Sequence, residues 1–129
     1  MKGSTDHQSF ILKSSTIADS GVGVFAVHDI SKDTKLDLFS DSFEEELRDK
    51  EGVPEELQGY CLDHKSGKLQ CPKYFNRMDI GNYLNHSKEA NTYWNGKIYY
   101  AKRNIQKGEE IFSDYNELGE PEETREAYY

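Results

Sequence analysis

The ten residues from Thr92 to Ala101 read TYWNGKIYYA. Asn95-Gly96 stands between two arms of aromatic and β-branched residues. Asn and Gly tolerate the positive φ that tight hairpin turns require, and the flanking side chains suit a pleated, half-buried surface. The stretch therefore predicts an antiparallel hairpin, and similar short units recur. FILKSSTI (10–17) reads as a strand, followed by a Gly turn and a second strand over 22–28. KLDLF (35–39) reads as another short strand, YCLDHKSGKLQCP (60–72) as a hairpin looped at Lys65–Gly67, and NIQKGEEI (104–111) as a turn and a last strand. Helix is expected only in small pieces. Ser42 and Glu45 form a capping box ahead of FEEELRDK (43–50), which Gly52 would end. VPEELQGY (53–60) adds one turn, RMDIGNYL (77–84) a turn or two, and residues 117–127 a short acidic helix from Pro121. The sum is a mostly β, antiparallel domain with small helical inserts.

A chain of 129 residues suits one domain, with a core over about 10–116 and an acidic segment over 117–129. Only 35% of the residues are hydrophobic, so the core must be small and lean on the nine Tyr and six Phe. The net charge of −8, without any basic run, argues against nucleic acid as a direct partner and favours a cationic one. No apolar run is long enough to span a membrane, and no signal-peptide pattern follows Met1. Cys61 and Cys71 would face each other across the 60–72 hairpin, where a disulfide is geometrically feasible. An intracellular chain would keep them reduced. Two Cys with His64 between them are too few ligands, wrongly spaced, for a zinc site, so no metal is expected.

Three stretches carry chemistry. SGVGVFA (20–26) contains Gly-x-Gly, but no helix opens after it and Ala26 replaces the third glycine, so a dinucleotide fold is excluded. What remains is either a tight turn needing positive φ or a loop whose bare backbone lets a ligand come close. YLNHSKEANTYW (83–94) places His86 beside Ser87, where the ring cannot easily take the hydroxyl proton, and hydrolase chemistry is rejected. KGEEIFSDYN (107–116) is a turn and short strand ending in Asp-Tyr.

Taken in order, GVGVFA, YLNHSKEANTYW and GEEIFSDY resemble the signature of the SET-domain protein lysine methyltransferases, over roughly Phe10 to Asn116. The resemblance implies a β-clip-like fold of small curved sheets with short helices, in which the segment after Asn-His threads under a loop to make a C-terminal pseudoknot. It implies S-adenosyl-L-methionine as cofactor, held by Gly21, Val22, Gly23, Asn85, His86 and Tyr115. Tyr115 matches the family's catalytic tyrosine, and Tyr60 is a looser candidate for a second channel tyrosine. The substrate would be a lysine-bearing protein, such as a basic histone-like tail, entering a narrow channel from the opposite face. The setting would be nuclear or chromatin-associated for a histone substrate, and cytoplasmic otherwise.

The sequence also departs from the family. No Cys follows Tyr115, so the zinc-binding cluster that often closes the lysine channel is missing. Closure would fall to Tyr128 and Tyr129 or to a partner chain, a second copy of this one included. Ser113 stands where Phe or Tyr is common, leaving room for a water or for extra methyls, and Lys88 stands where Cys is common. The insert over 44–73 is short. An alternative reading is a SET-like module that binds peptide or cofactor without turnover.

Overall fold

The structure is a computed structural model that describes Thr5 and residues 8–96 and 98–115. Its strands are β1 (Phe10–Ser14), β2 (Val22–Ala26), β3 (Glu45–Arg48), β4 (Leu62–Asp63), β5 (Leu69–Pro72), β6 (Asn85–His86), β7 (Thr92–Trp94), β8 (Tyr99–Ala101) and β9 (Glu110–Ser113). One short helix, α1 (Glu55–Gln58), and 3-10 turns at Lys50–Gly52, Phe75–Arg77 and Ile80–Tyr83 complete the described elements. The strands form three small sheets in the orders β1-β2-β9-β6, β3-β5-β4 and β7-β8. This is the mostly β architecture of small sheets that the motifs imply.

The hairpins form where turn chemistry predicts them. β1 and β2 pair antiparallel, Phe10 opposite Ala26 and Ser14 opposite Val22, and Gly21 between them takes φ +66°. β7 and β8 pair antiparallel, Trp94 opposite Tyr99. Their loop is held by the Ile98 N–H donating to Asn95 Oδ1 at 2.7 Å, while Gly96 takes φ +92°. In the β4–β5 hairpin Leu62 faces Gln70, and Cys61 and Cys71 lie one residue beyond, with free thiols and Sγ atoms 2.9 Å apart.

Two expectations are corrected. Residues 43–50 are not a helix: Glu45–Arg48 form β3, with Glu45 opposite Pro72 and Arg48 opposite Leu69. The Ser42–Glu45 capping signal was local, and Leu47 is the only large apolar residue after Phe43. The segment therefore lacks an apolar stripe to bury as a helix, and the unpaired edge of β5 decides its state. KLDLF does not form a strand; only the Lys35–Tyr100 bridge is made there. Its Leu36 and Leu38 are nevertheless core residues, packed with Val24, Ala26, Ile30, Leu84, Tyr99, Ala101, Ile105 and Ile111. A second, smaller cluster of Val53, Leu69 and Cys71 sits under the β3-β5-β4 sheet. The acidic helix expected at 117–127 and the candidate closing residues Tyr128 and Tyr129 lie outside the described residues. No described helix is long and apolar enough to cross a membrane.

Candidate active site

β9 is the strand around which the site is assembled. It lies between β2, antiparallel with Val24 opposite Ile111, and β6, parallel with Asn85 opposite Phe112. The segment that follows β6 closes over it. Asn91, 1% exposed, donates from Nδ2 to the Glu110 carbonyl and accepts from the Phe112 N–H at Oδ1, both at 2.9 Å. The Thr92 hydroxyl donates to the Phe112 carbonyl at 2.8 Å, and the Ser87 N–H to the Ser113 carbonyl at 3.0 Å. The NHSKEANT stretch thus supplies backbone and side-chain partners to a four-residue strand that has no local ones. Buried backbone groups need partners, so this clasp fixes the register of everything after it.

Two cavities reach the end of that strand. One, about 460 Å³, is walled by Phe39, Phe43, Trp94, Tyr99, Ser113 and Leu62, among others. The other, about 220 Å³, is walled by Ser20, Val22, Glu56, Tyr83 and Asn85. Tyr60, Leu84, Tyr115, Gly59 and Asn82 line both. The larger is aromatic. Trp94 and Tyr99 rings stand 4.8 Å apart, Phe39 and Phe43 rings 4.6 Å apart, and the Tyr99 hydroxyl meets Ser113 Oγ at 2.9 Å. The smaller is polar, with one aromatic wall where Tyr60 meets Tyr83 edge-on at 5.4 Å.

Tyr115 is placed by its neighbours. Its hydroxyl donates to the Leu84 carbonyl at 2.6 Å and its N–H to His86 Nδ1 at 2.9 Å. The two rings lie 5.1 Å apart. An N–H aimed at Nδ1 makes that nitrogen the acceptor, so the ring proton sits on Nε2 and the imidazole is neutral. Burial pushes its pKa below the ordinary histidine value; Asp114, 3.8 Å away, pulls the other way, and Lys88 adds to the lowering. The His86 side chain is wholly buried beside the Tyr115 ring and is not among the residues that line these two cavities.

The residues singled out in the sequence therefore separate. Val22, Asn85, Tyr60 and Tyr115 line the cavities. Gly21 turns the chain into Val22, and His86 backs Tyr115. At Gly23 a Cβ would collide with the Glu110 carboxylate, whose carbon would lie 2.8 Å from it. That carboxylate, 5% exposed, accepts from Ser15 Oγ at 2.8 Å, Thr16 N at 2.7 Å, Thr16 Oγ1 at 2.6 Å and Asn85 Nδ2 at 3.0 Å. Asn85 Nδ2 also donates to the Val22 carbonyl at 3.0 Å, which uses both amide hydrogens. Burial alone would raise the Glu110 pKa, but the bonds from Thr16, Asn85 and Ser15 outweigh it and hold the carboxyl below its usual range.

Sequence reasoning missed Glu110, Asn91, Tyr99 and Tyr83. In GEEI the pair Glu109-Glu110 resembles a solvated turn. Alternation along the strand separates them, since Glu110 lies opposite Phe25 in the ladder whereas Glu109 pairs with Arg103 on the surface. Tyr99 was visible only as a hairpin residue.

A family model for the SET domain matches residues 21–116. Among solved structures, the chain is similar to a Plasmodium falciparum protein described as a candidate histone methyltransferase. The identity is 22%, covering 85% of this chain and 95% of that one, with a TM-score of 0.52. It is also similar to a chain of Polycomb Repressive Complex 2 of the fungus Chaetomium thermophilum, solved in an autoinhibited conformation bound to S-adenosylmethionine (21% identity, 85% of this chain, TM-score 0.55). A humanized mutant of that complex bound to an inhibitor matches at 22% identity, again over 85% of this chain, with a TM-score of 0.53. This chain spans only 15% of the length of each of those two Polycomb chains. At these identities the likeness concerns the fold. No curated protein sequence matches the chain.

Proposed function

Because the chain belongs to the SET domain family, we propose that it is a protein lysine N-methyltransferase using S-adenosyl-L-methionine. One observation carries the reading: a polar cleft and an aromatic cavity share Tyr60, Leu84 and Tyr115, so two ligands entering separately would meet at one tyrosine hydroxyl. Val22, Asn85 and Tyr83, with the turn at Gly21 and the backbone at His86, would hold the cofactor in the polar cleft. When bound, S-adenosylmethionine supplies an electrophilic methyl group on a sulfonium.

The chain's own residues account for the rest. Tyr115, anchored by His86 and the Leu84 carbonyl, would orient the incoming amine; Tyr60, Tyr99 and Trp94 would wall its alkyl stem. The lysine must lose its proton before it can attack, and its free pKa is about 10.4. A desolvated aromatic channel beside a positive charge lowers that value. Holding nitrogen and methyl in line supplies much of the rate, with no covalent enzyme intermediate. Ser113 stands where a bulky residue is common in the family and bonds the Tyr99 hydroxyl at 2.9 Å; a residue this small would leave room for a water or for extra methyls. The net charge of −8 suits a basic, histone-like tail as substrate and hence a chromatin setting.

Calorimetry with S-adenosylmethionine, then incubation with histone peptides and mass spectrometry, tests the proposal. Cofactor binding with a gain of methyl mass on lysine is expected. Tyr115→Phe should lower transfer by about 100-fold with cofactor affinity nearly unchanged. Absence of binding would sink the enzyme reading. Binding without methyl transfer would favour a non-catalytic SET-like module.

A further inference from the structure

Among the described residues, Glu110 is the one buried carboxylate, and the site as described gives it no contact with either cavity. We propose that Glu110 is the positioning residue of the cofactor cleft. Its carboxylate fastens the 15–22 loop to Asn85, and position 23 is glycine to admit that carboxylate rather than the ligand. The inference rests on the cofactor reading of the 220 Å³ cleft.

The chemistry follows from what each oxygen accepts. Oε1 takes the Thr16 N–H at 2.7 Å, the Thr16 hydroxyl at 2.6 Å and the Ser15 hydroxyl at 3.1 Å. Oε2 takes the Ser15 hydroxyl at 2.8 Å and Asn85 Nδ2 at 3.0 Å. All the partners are donors, so the site wants a group that only accepts. An ionised carboxylate is such a group, and its charge strengthens every bond. A glutamine cannot replace it. With its NH₂ at the Oε1 position it would face the Thr16 N–H, and at the Oε2 position it would face the Asn85 amide.

The loop so fastened carries Ser20 and Val22 into the cleft, and Asn85 forms the facing wall. The same Asn85 amide bonds the Val22 carbonyl at 3.0 Å, so the carboxylate, the loop and the wall form one closed chain of contacts. Gly23 completes it. A methyl there would lie in the space of the Glu110 carboxylate and 3.2 Å from Asn85 Nδ2. Alanine at 23 would therefore push away the anchor of the cleft while adding nothing to the cleft wall.

A double-mutant cycle of Gly23→Ala and Glu110→Ala tests this, read by calorimetric S-adenosylmethionine affinity and by amide hydrogen exchange of the ligand-free protein. In the native background Gly23→Ala should weaken binding about tenfold or more and speed exchange of the Thr16 amide. In the Glu110→Ala background the same change should add less than about twofold, because the two substitutions remove one interaction. Equal losses in both backgrounds would mean that the ligand itself needs Gly23, and would overturn the proposal. Glu110→Gln should raise KM for the cofactor about tenfold while kcat at saturation moves less than about threefold. Exchange should quicken at Thr16 and not in β7–β8. Uniformly faster exchange with unchanged affinity would make Glu110 a plain stability residue and refute the assignment. Should the Glu110 variants fail to fold, Ser15→Ala and Thr16→Val trim the same contacts from the loop side; each should weaken binding about threefold, and no change in either refutes the proposal. If the native protein binds no S-adenosylmethionine, the cofactor reading fails by itself. The Thr16 amide in Glu110→Gln then decides the latch alone: local quickening supports it and native protection overturns it.

Discussion

Replacing Asn91 with alanine removes the clasp on β9. The side chain is 1% exposed and satisfies two main-chain groups of that strand, the Glu110 carbonyl and the Phe112 N–H, at 2.9 Å each. Neither group finds a new partner in the space left. A buried group deprived of its partner costs about 1–3 kcal/mol, so the pair costs about 2–6 kcal/mol, a large share of the roughly 5–15 kcal/mol typical of a domain. Thr92→Val removes a single bond to the Phe112 carbonyl and should cost about 1 kcal/mol. Asn91→Asp keeps the acceptor for Phe112 but points an anionic oxygen at the Glu110 carbonyl, and should be no milder than alanine. Urea unfolding followed by the fluorescence of Trp94, the single tryptophan, measures all three. A common m-value with the midpoint falling in the order Thr92→Val, then Asn91→Ala, is expected. Asn91→Ala within about 0.5 kcal/mol of the native protein would refute the clasp.

Acid should destabilise the fold in two stages. His86 is held below its ordinary pKa by burial, so the neutral ring's contribution is complete above about pH 6.5 and declines as pH falls below it. Glu110 is also depressed, so its contribution is complete above about pH 4.3 and disappears as pH falls through its folded value. Thermal melts from pH 8 to pH 3 should fall in both windows, and a melting temperature that rises on acidification would contradict both assignments. Gly81→Ala should destabilise by about 1–3 kcal/mol, since its methyl would meet the Phe39 ring at 2.5 Å and the Leu38 carbonyl oxygen at 2.9 Å. Circular-dichroism melts would show it, and a neutral result would mean that Phe39 swings aside freely. Burial, then the hydrogen bond with Cys71, pushes the Cys61 thiol well above its ordinary pKa, and Cys71 is inaccessible. Iodoacetamide at pH 7.5 should label neither in the folded protein and both in urea, as intact mass will reveal; rapid native labelling of Cys61 would count against this burial.

What the sequence displayed well was local. Gly21, Gly67 and Gly96 marked turns because positive φ is a property of single residues, and all three take it. The hairpins at 10–26, 60–72 and 92–101 followed. The short helix at 43–50 failed because its competing partner, β5, lies more than twenty residues away, and pairing across that distance leaves no local mark. The same reason hid half of the site. Tyr115 and Asn85 could be picked out by motif, but Glu110 appears polar and exposed until the ladder opposite Phe25 turns it inward. Gly23 was recognised as special, and the group it makes room for stands 87 positions along the chain, as the Glu110–Gly23 approach reveals.

The position of β9 bears on how the molecule is made. It is among the last described segments in sequence, yet it is an inner strand of its sheet, between β2 and β6. During synthesis the N-terminal hairpin must wait with the inner edge of β2 open until residues 110–113 emerge. At about 5–20 residues per second that wait lasts several seconds. An unpaired edge is a template for pairing with other chains, and non-local pairing closes slowly. A nascent chain of this kind is expected to lean on chaperones until β9 arrives, and the wall that bears Tyr115 is then completed in the same step that seals the sheet.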